Sequence, residues 1–334
     1  MDNRIKYQKS LIVCTTPLQV LIAQKIAALK NKLEIFDFIM LSPNTDKKYY
    51  YYYDFFNLKN KTKISMFFHL NVKVNRVKEF LLFKKKLKEN FNLKSYENVY
   101  IASIDSRYIQ IIISNIDIKC QVFTYDDGVA NIIKNSVYYK DNEHSFYQKI
   151  LWRFLGVKFF MRDIKLKSNV HYSIYPLGFS NIIDRVQNIN LFENFYIDSK
   201  KEKKEKIKFF LGQPILELYK DRDYRYVETI IKKFECDFYY PHPREKEIEI
   251  SCINILNTHL IFEDYIINFI ESNPGVNVEV YSFISSALLN LASLRNIKCN
   301  YLIDGYLYEK YKNYYDFVEK NNIVKCIFVD FNQD

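Results

Sequence analysis

The sequence contains few glycines and prolines, the residues that most often interrupt helices and strands, and little tryptophan. Its 334 residues include 6 glycines, 7 prolines and 1 tryptophan. The glycines are too far apart to form the phosphate loops of dinucleotide-binding or P-loop proteins. The 6 cysteines form no C-x-x-C pair and have no histidine beside them at metal-ligand spacing. They are therefore expected to be core residues of a protein in a reducing compartment.

Long hydrophobic runs are also missing. No apolar stretch reaches the ~20 residues that span a bilayer, and the first one, residues 11–16, is too short for a secretory signal. We therefore expect a cytoplasmic protein. Its formal net charge of +10 leaves room for contact with phosphates, acidic sugars or anionic lipids. Peripheral contact with the inner face of the membrane stays open, as does a homodimer.

Hydrophobic residues make up 49% of the chain, enough for a sizeable core, and this length suits two domains of ~150 residues each. Short apolar runs alternate with segments of helical period, which is typical of parallel α/β sheets. Predicted strands span residues 11–15, 35–41, 64–69, 99–102, 121–125, 207–211, 238–240, 276–281, 298–302 and 323–329. Predicted helices span residues 17–30, 75–89, 224–234, 263–271 and 285–294.

A run of charged residues, 198–206, interrupts this alternation, and nothing in it can be buried cheaply. It predicts a linker between an amino-terminal domain, residues 1–198, and a carboxyl-terminal domain, residues 207–334. The fold class is therefore α/β, with two Rossmann-like domains facing a central cleft. Segments 44–59 and 135–154 are expected to be loops that determine specificity.

Two carboxylates and a glycine, Asp126, Asp127 and Gly128, directly follow the predicted strand 121–125. In an open α/β sheet the carboxyl ends of the strands border the ligand site, and Gly128 permits the turn that would hold a carboxylate there. Such a group can act as a general base toward a sugar hydroxyl. A simple D-G turn needs no chemistry, and the local sequence alone favours that interpretation.

His242 lies between two prolines just after the predicted strand 238–240. The prolines stiffen the backbone and display the imidazole at the strand's end. The ring could donate a proton to a leaving phosphate, while Pro243 and Arg244 would border the same ligand, with Arg244 pairing with phosphate or carboxylate. An exposed loop histidine in a rigid turn is the alternative.

Ser285 and Ser286 open a predicted helix after the strand 276–281. Hydroxyls, unpaired backbone N–H groups and the helix dipole would converge there on a phosphate. The alternative is that one serine serves only as a helix cap, which is the commoner case. Glu263 could accept hydrogen bonds from ribose hydroxyls, or it could be an ordinary acidic residue in the first turn of a helix.

Two further turns carry small polar residues where a strand passes into a helix. Thr16 and Gln19 belong to the first turn of the chain, and Gly212 with Gln213 makes the matching turn in the second half. All four are candidates for donor binding. Glu217, a few residues later, is a reserve carboxylate for catalysis.

A divalent-metal site is not expected. Asp221-Arg222-Asp223 has the D-x-D spacing by which some glycosyltransferases hold a metal, but Lys220 and Arg225 stand beside it. This basic setting favours a solvated charged segment.

Taken together and in order, six motifs resemble glycosyltransferase family 52, which contains bacterial sialyltransferases of lipooligosaccharide and capsule synthesis. The motifs are T-P-L-Q, Y-D-D-G-V-A-N-I, G-Q-P, Y-P-H-P-R-E, F-E-D-Y-I and Y-S-F-I-S-S-A, spread from about Leu11 to Leu288. The resemblance implies a GT-B fold, CMP-sialic acid as donor, inversion at the anomeric carbon and no metal cofactor. It implies that His242 assists the departure of CMP, that Ser285 and Ser286 bind phosphate and that Glu263 contacts the nucleotide.

One position departs from the family. Ile215 follows the proline of G-Q-P, where a meningococcal member has an aspartate proposed as the base. The base is therefore assigned first to Asp126 or Asp127, since a D-D-G carboxylate is the base in another sialyltransferase family. Glu217 is the second choice because it lies near the vacated position.

The implied function is transfer of sialic acid from CMP-sialic acid to a terminal galactose-type acceptor of a bacterial surface glycan. The partners are then a nucleotide-sugar donor and an oligosaccharide acceptor, without nucleic acid. A relative using UDP-glucose is one alternative, because family membership does not fix the donor. A non-catalytic glycan or nucleic-acid binding protein is the other, although 39 acidic residues and dispersed basic residues speak against it.

Overall fold

A computed structural model describes residues 7–43, 46–71, 75–140, 144–192, 205–245, 247–294 and 296–329. The chain forms two compact units, the first ending at Leu191 and the second beginning at Phe192. Of the predicted linker 198–206, only Glu205 and Lys206 lie within the described residues. Among the described residues, no helix has both the length and the apolar character needed to cross a membrane.

The first unit is built on a parallel sheet. Its strands are β1 (Gln8–Cys14), β2 (Glu34–Ser42), β3 (Ser65–His69), β4 (Asn98–Ile101), β5 (Gln121–Tyr125), β6 (Ser168–Ser173) and β7 (Val186–Asn188). Its helices are α1 (Pro17–Lys30), α2 (Lys47–Asn60), α3 (Arg76–Asn90), α4 (Arg107–Ile113), α5 (Phe146–Phe154) and α6 (Met161–Lys167). In the described part of this unit the strand order is β3-β2-β1-β4-β5-β6-β7.

This strand order contains one reversal. The chain starts in the middle of the sheet, moves outward through β2 and β3, and then continues from β4 on the other side of β1. The connections after β1 and β4 therefore leave in opposite directions. Open α/β sheets bind their ligands at the carboxyl ends of the strands beside such a reversal.

The start of the first unit illustrates how its sequence specifies these elements. Residues 11–14 of β1 are completely buried, as expected for a parallel strand covered on both faces. The hydroxyl of Thr16 then accepts the backbone N–H of Gln19 at 3.3 Å, and Pro17 occupies the first position of α1. Val20, Ile22 and Ile26 of α1 are buried as the helix packs against β1 and β2.

The second unit has a parallel sheet of its own. Its strands are β8 (Lys206–Leu211), β9 (Phe238–Tyr240), β10 (Asn254–Ile255), β11 (Asn277–Ser282), β12 (Ile297–Ile303) and β13 (Lys325–Phe328). Its helices are α7 (Ile215–Leu218), α8 (Tyr224–Phe234), α9 (Phe262–Ser272), α10 (Ser286–Leu291), α11 (Gly305–Lys310) and α12 (Lys312–Lys320). Its described strands follow the order β10-β9-β8-β11-β12-β13, so the reversal lies between β8 and β11.

The α/β class with two parallel sheets is confirmed, but the prediction that segments 44–59 and 135–154 are loops is wrong. Segment 44–59 contains most of α2, because Tyr52 and Phe56 recur at helical spacing and are completely buried. Segment 135–154 contains α5, which Ser145 and Gln148 begin with a reciprocal capping box. Residues 44, 45 and 141–143 lie outside the described residues.

Candidate active site

The carboxyl edge of the first sheet brings together polar side chains from three neighbouring strands. Gln19 follows β1, Ser103 follows β4 and Asp127 follows β5. Gln19 Nε2 donates to Ser103 Oγ at 3.0 Å, and both side chains donate to Asp127. The cluster therefore lies beside the strand reversal, where a ligand site is expected.

Asp127 is half-buried and accepts from three side chains. Its Oδ1 accepts from Gln19 Nε2, and its Oδ2 accepts from Ser103 Oγ at 2.9 Å and from the Tyr138 hydroxyl. Its backbone N–H donates to Asn131 Oδ1 at 2.7 Å. The carboxylate is therefore held in one orientation while remaining partly accessible.

Tyr138 links Asp127 to a second carboxylate. Its hydroxyl also lies 3.2 Å from Asp105 Oδ1. Burial raises the pKa of Tyr138 well above its ordinary value, and the negative charges of Asp127 and Asp105 raise it further. The phenol therefore stays protonated, and its single proton serves two neighbouring acceptors.

Ser103 adds a strained backbone to this cluster. Its φ of 46° lies in the left-handed region, which is unfavourable for a residue with a Cβ. The conformation places its hydroxyl within 2.8 Å of Thr15 Oγ1 as well as against Asp127. Strain of this kind persists only where surrounding contacts hold it, and here those contacts converge on Asp127.

Asp126 has a different environment from its neighbour. It is completely buried, with Oδ1 2.9 Å from His171 Nε2. Its Oδ2 accepts from Ser173 Oγ at 2.8 Å and from the backbone N–H of Ile174 at 2.7 Å. These contacts join the end of β5 to β6, so Asp126 stabilises the sheet and is not presented to a substrate. Its assignment as a base is not supported.

The other predicted residues of the first unit make local structural contacts. Gly128 adopts φ +68°, the left-handed turn that favours glycine. Thr16 caps α1. Gln19 is completely buried; it accepts the Thr15 N–H at 2.6 Å and donates to Asp127, so its contacts orient that carboxylate.

In the second unit, the H-P loop consists of residues 241–245 after β9. Glu245 Oε2 accepts the backbone N–H of His242 at 2.7 Å. Its Oε1 accepts the hydroxyls of Tyr239 at 2.7 Å and Tyr224 at 3.2 Å. The backbone N–H of Arg244 donates to His242 Nδ1 at 3.1 Å. His242 is half-buried, and Pro243 and Arg244 are exposed.

Glu217 pairs with the exposed Arg244 side chain. The reserve base and the predicted phosphate ligand therefore neutralise each other. An exposed pair of this kind contributes little to stability. Gln213 is half-buried in the turn after β8, and Gly212 N–H donates to Tyr240 O at 2.8 Å.

Ser285 caps α10, with its Oγ accepting the backbone N–H of Ala287 at 3.3 Å. Its carbonyl oxygen accepts from the hydroxyls of Tyr301 and Tyr314, which fixes the turn before the helix. Ser286 is exposed. Glu263 is buried and accepts from Asn290 Nδ2 at 2.8 Å, so it joins α9 to α10.

The sequence model of glycosyltransferase family 52 matches residues 34–304, well over half of the chain. The chain belongs to this family. A CMP-N-acetylneuraminate:beta-galactoside alpha-2,3-sialyltransferase of Pasteurella multocida (strain Pm70) is 36% identical over 282 residues, covering 84% of this chain and 87% of that protein. An N-acetyllactosaminide alpha-2,3-sialyltransferase of Haemophilus influenzae is 28% identical over 298 residues, covering 88% and 91%.

Solved structures resemble this family 52 glycosyltransferase in fold alone. Arabidopsis thaliana UGT89C1 complexed with UDP aligns with a TM-score of 0.54 at 9% identity, covering 97% of this chain and 86% of that one. A UDP-N-acetylglucosamine 2-epimerase aligns with a TM-score of 0.53 at 13% identity, covering 97% and 84%. The fold is thus the GT-B type that the resemblance implied.

The D-x-D segment of this family 52 enzyme is explained by local contacts. Asp223 caps α8 and pairs with Arg225 at 2.8 Å, and Arg222 lies 3.5 Å from Asp304. Among the residues that the structure describes, no three His, Cys, Asp or Glu side chains cluster as a metal site would require.

A cavity of 640 Å³ in this family 52 enzyme lies away from the candidate residues. Its lining includes Lys9 of β1 and Asn115 before β5, together with the end of α3 and residues 91–94 before β4. These positions belong to the amino-terminal edge of the first sheet, opposite the edge that bears Asp127. Size alone does not make it the active site, because its lining includes none of the candidate catalytic or binding residues.

Sequence reasoning missed four residues that position the candidate catalytic groups. They are Ser103, Asp105, Tyr138 and Glu245. Glu245 had a signal in the sequence, since it ends the Y-P-H-P-R-E motif three residues after His242. The other three had none, because they are distant in sequence from the groups they touch.

Proposed function

We propose that this glycosyltransferase is an inverting, metal-independent sialyltransferase that uses CMP-sialic acid. The observation that carries the proposal is the 36% identity with the Pasteurella multocida enzyme over 84% of the chain. The proposed acceptor is a terminal galactose-type hydroxyl of a bacterial surface glycan, such as lipooligosaccharide or capsule.

Asp127 is the proposed general base. As the bond between the anomeric carbon and the phosphate oxygen breaks, its electron pair goes to CMP. The acceptor hydroxyl oxygen bonds to the opposite face of that carbon, and its proton passes to Asp127. Gln19, Ser103 and Tyr138 fix the carboxylate in advance, so little reorganisation is needed in the transition state.

In the second unit, His242 and Ser285 are the proposed partners of the CMP phosphate. Negative charge grows on that phosphate as the bond breaks, so donors aimed at it stabilise the transition state more than the ground state. The Ser285 hydroxyl can donate to phosphate while its oxygen caps α10. Arg244, balanced by Glu217, is a further cation close to His242.

Release of CMP from CMP-sialic acid in EDTA, with and without lactose, tests this function. We expect release that lactose stimulates, together with thermal stabilisation by CMP. Release that requires added metal would contradict the metal-independent mechanism. If CMP is neither released nor stabilising while UDP stabilises the protein, the donor assignment is wrong and the family fold remains.

Helix α5 supports a proposal of peripheral membrane contact. Phe146, Ile150 and Phe154 recur every fourth residue along it and are 73%, 51% and 90% exposed. Tyr147 and Leu151 extend this apolar face, whereas Trp152 is buried and attaches the helix to the unit. An exposed apolar face of this size is unusual for a soluble domain and typical of interfacial helices.

Basic side chains near α5 indicate which kind of membrane surface would bind this apolar face. Lys149 and Arg153 lie on α5 itself, each over the ring of Phe160, and Lys158 and Arg162 are exposed nearby. Cations beside aromatic and aliphatic side chains favour an anionic lipid surface over a neutral one.

Co-sedimentation with vesicles tests the membrane proposal. Binding is expected to phosphatidylglycerol vesicles, weaker to phosphatidylcholine, and reduced by Phe154→Ser but not by Leu58→Ser, which alters an exposed leucine on α2. If light scattering instead shows a homodimer that Phe154→Ser dissociates, a second copy covers the face and the lipid assignment is wrong.

A further inference from the structure

Glu245 is the best-connected acceptor of the H-P loop, and the reaction proposed above assigns it no role. It is half-buried, and its two oxygens accept from Tyr239, Tyr224 and the backbone of His242. Burial raises the pKa of this carboxyl, and the hydrogen bonds from His242 N–H and the two phenols oppose that rise. Because burying a carboxylate is costly, a half-buried carboxylate with these three donors is expected to have a specific role in the loop.

Gly212 provides the space for this carboxylate. A Cβ at position 212 would lie 2.5 Å from Glu245 Oε2 and even closer to the Tyr239 hydroxyl. Its φ is not in the left-handed region, so the constraint at this position is the close approach of these side chains and not backbone strain. The glycine of G-Q-P and the glutamate of Y-P-H-P-R-E therefore form one packing unit.

The ring of His242 has a defined protonation pattern. The backbone N–H of Arg244 donates to Nδ1, and an N–H can donate only to a nitrogen with a lone pair. The proton of the neutral ring therefore resides on Nε2. Protonation of Nδ1 would set two N–H groups against each other, so the bond with Arg244 disfavours the imidazolium.

We propose that Glu245 is a positioning residue. By holding the His242 backbone it keeps Nδ1 against the Arg244 N–H, so that the ring is a neutral imidazole with its proton on Nε2. The Nε2–H group then hydrogen-bonds the departing phosphate without transferring its proton. This proposal depends on the function proposed above. The reaction does not require transfer of a proton to the phosphate, because the second pKa of a phosphate monoester is ~6 and CMP leaves readily as an anion near neutral pH. The bonding electron pair passes to the phosphate oxygen, and His242 keeps its proton.

The charged and titratable groups around His242 come from four elements. Glu245 and Arg244 belong to the same loop, and Glu217 of α7 pairs with Arg244. Tyr239 of β9 and Tyr224 of α8 both bind Glu245, and burial raises the pKa of each phenol, so both remain donors at neutral pH.

The pH dependence of kcat distinguishes this role from that of a protonated acid. A neutral donor predicts a plateau from about pH 6.5 to about pH 9, because the active form is the one above the imidazole pKa. An imidazolium acid predicts about a tenfold loss for each pH unit above that pKa. Such a descending limb, absent from His242→Ala, would overturn the proposal.

Nitrogen NMR of the His242 ring tests the tautomer without any substrate. In protein labelled with nitrogen-15, Nε2 should be protonated and Nδ1 unprotonated, and Glu245→Ala should give a mixture of tautomers. Because this readout needs no turnover, a failed sialyltransferase assay would not decide it. Dominance of the Nδ1-protonated form or the imidazolium in the wild type at neutral pH would contradict the proposal.

Kinetics of matched variants test the positioning role. Glu245→Ala should lower kcat by roughly tenfold while the KM for CMP-sialic acid changes little, and Glu245→Gln, which keeps one acceptor oxygen, should lose less. The control is Glu228→Ala, because Glu228 also holds a loop through backbone N–H groups, at Ser251 and Cys252. Equal kinetic losses in both alanine variants would reduce Glu245 to a structural role.

Gly212→Ala provides a second variant that leaves Glu245 itself intact. Its Cβ should displace Glu245 and reproduce both the kcat loss and the mixed tautomers. Gly305→Ala is the control, since a Cβ there meets nothing within 4 Å. A folded Gly212→Ala protein with normal kcat and a single Nε2-protonated form would overturn the proposal.

Discussion

The two sheet edges hold their polar groups in different ways. In the first unit, Asp127 is fixed by side chains that are 108, 24 and 11 residues away in sequence, from Gln19, Ser103 and Tyr138. In the second unit, Glu245 and Arg244 hold His242 from within the same short loop. The first arrangement requires the whole sheet to be assembled, whereas the second is encoded mainly in one motif.

The two carboxyl edges therefore differ in how well they tolerate a single substitution. Around Asp127, removing any single donor leaves two others and a buried scaffold. Around His242, Glu245 holds the backbone N–H of the histidine and the Arg244 N–H contacts its Nδ1, so substitution of Glu245 is expected to disturb the position of the ring. Catalytic and structural effects should therefore be easier to separate in the first unit than in the second.

The largest expected effect comes from Asp127→Asn. The amide has almost the same shape, and the hydroxyls of Ser103 and Tyr138 can turn to accept from it, but it cannot take up a proton. We expect kcat to fall ~10²–10⁴-fold with a melting temperature near that of the wild type. Near-normal turnover would transfer the base to another carboxylate, and Glu217→Gln would be the next variant to assay.

His242→Ala should have the next largest effect. Loss of one donor to a developing oxyanion is typically worth ~10²–10³ in kcat, so we expect a decrease of that order in a folded protein. The matched control is His69→Ala, which removes an exposed histidine at the carboxyl end of β3. Equal activity of the two variants would exclude His242 from the reaction.

The fold was predictable because its signals are local. Apolar runs and helix starts placed β5, α1, β9 and α8 within a residue of their observed ends. Strand β6 was missed because buried Ser168, His171 and Ser173 interrupt its apolar pattern. Those polar residues are buried together with Asp126 and Thr124, which bind them across the sheet. These hydrogen bonds offset the cost of burying polar residues in a strand, and they are visible only in the assembled fold.

The candidate site was predictable to a smaller degree. The sequence identified the D-D-G and H-P motifs but could not decide between Asp126 and Asp127, which share the same local context. The decisive partners are His171 for Asp126 and Tyr138 for Asp127, and neither has a fixed spacing that a motif could record. The roles of both aspartates remain proposals until the variants are measured.

Asp126→Asn should affect stability more than turnover. With its oxygen toward Ser173 and Ile174, the amide places its NH2 group against His171 Nε2, so the ring must either change its tautomer or lose this contact. We expect about 1–3 kcal/mol less free energy of unfolding, measured by urea denaturation, and a nearly unchanged kcat per folded molecule. A selective loss of kcat without loss of stability would reverse the roles assigned to the two aspartates.

The smallest effect is expected from Ser285→Ala, where the two functions of a cap can be separated. The substitution removes the cap of α10, worth about 1 kcal/mol, and also a hydroxyl that can donate to the donor phosphate. The KM for CMP-sialic acid should therefore rise roughly threefold to tenfold. Asp223→Ala removes the cap of α8 and should leave that KM unchanged. If both variants raise the KM equally, the effect comes from the loss of a helix cap, and Ser285 has no direct contact with the phosphate.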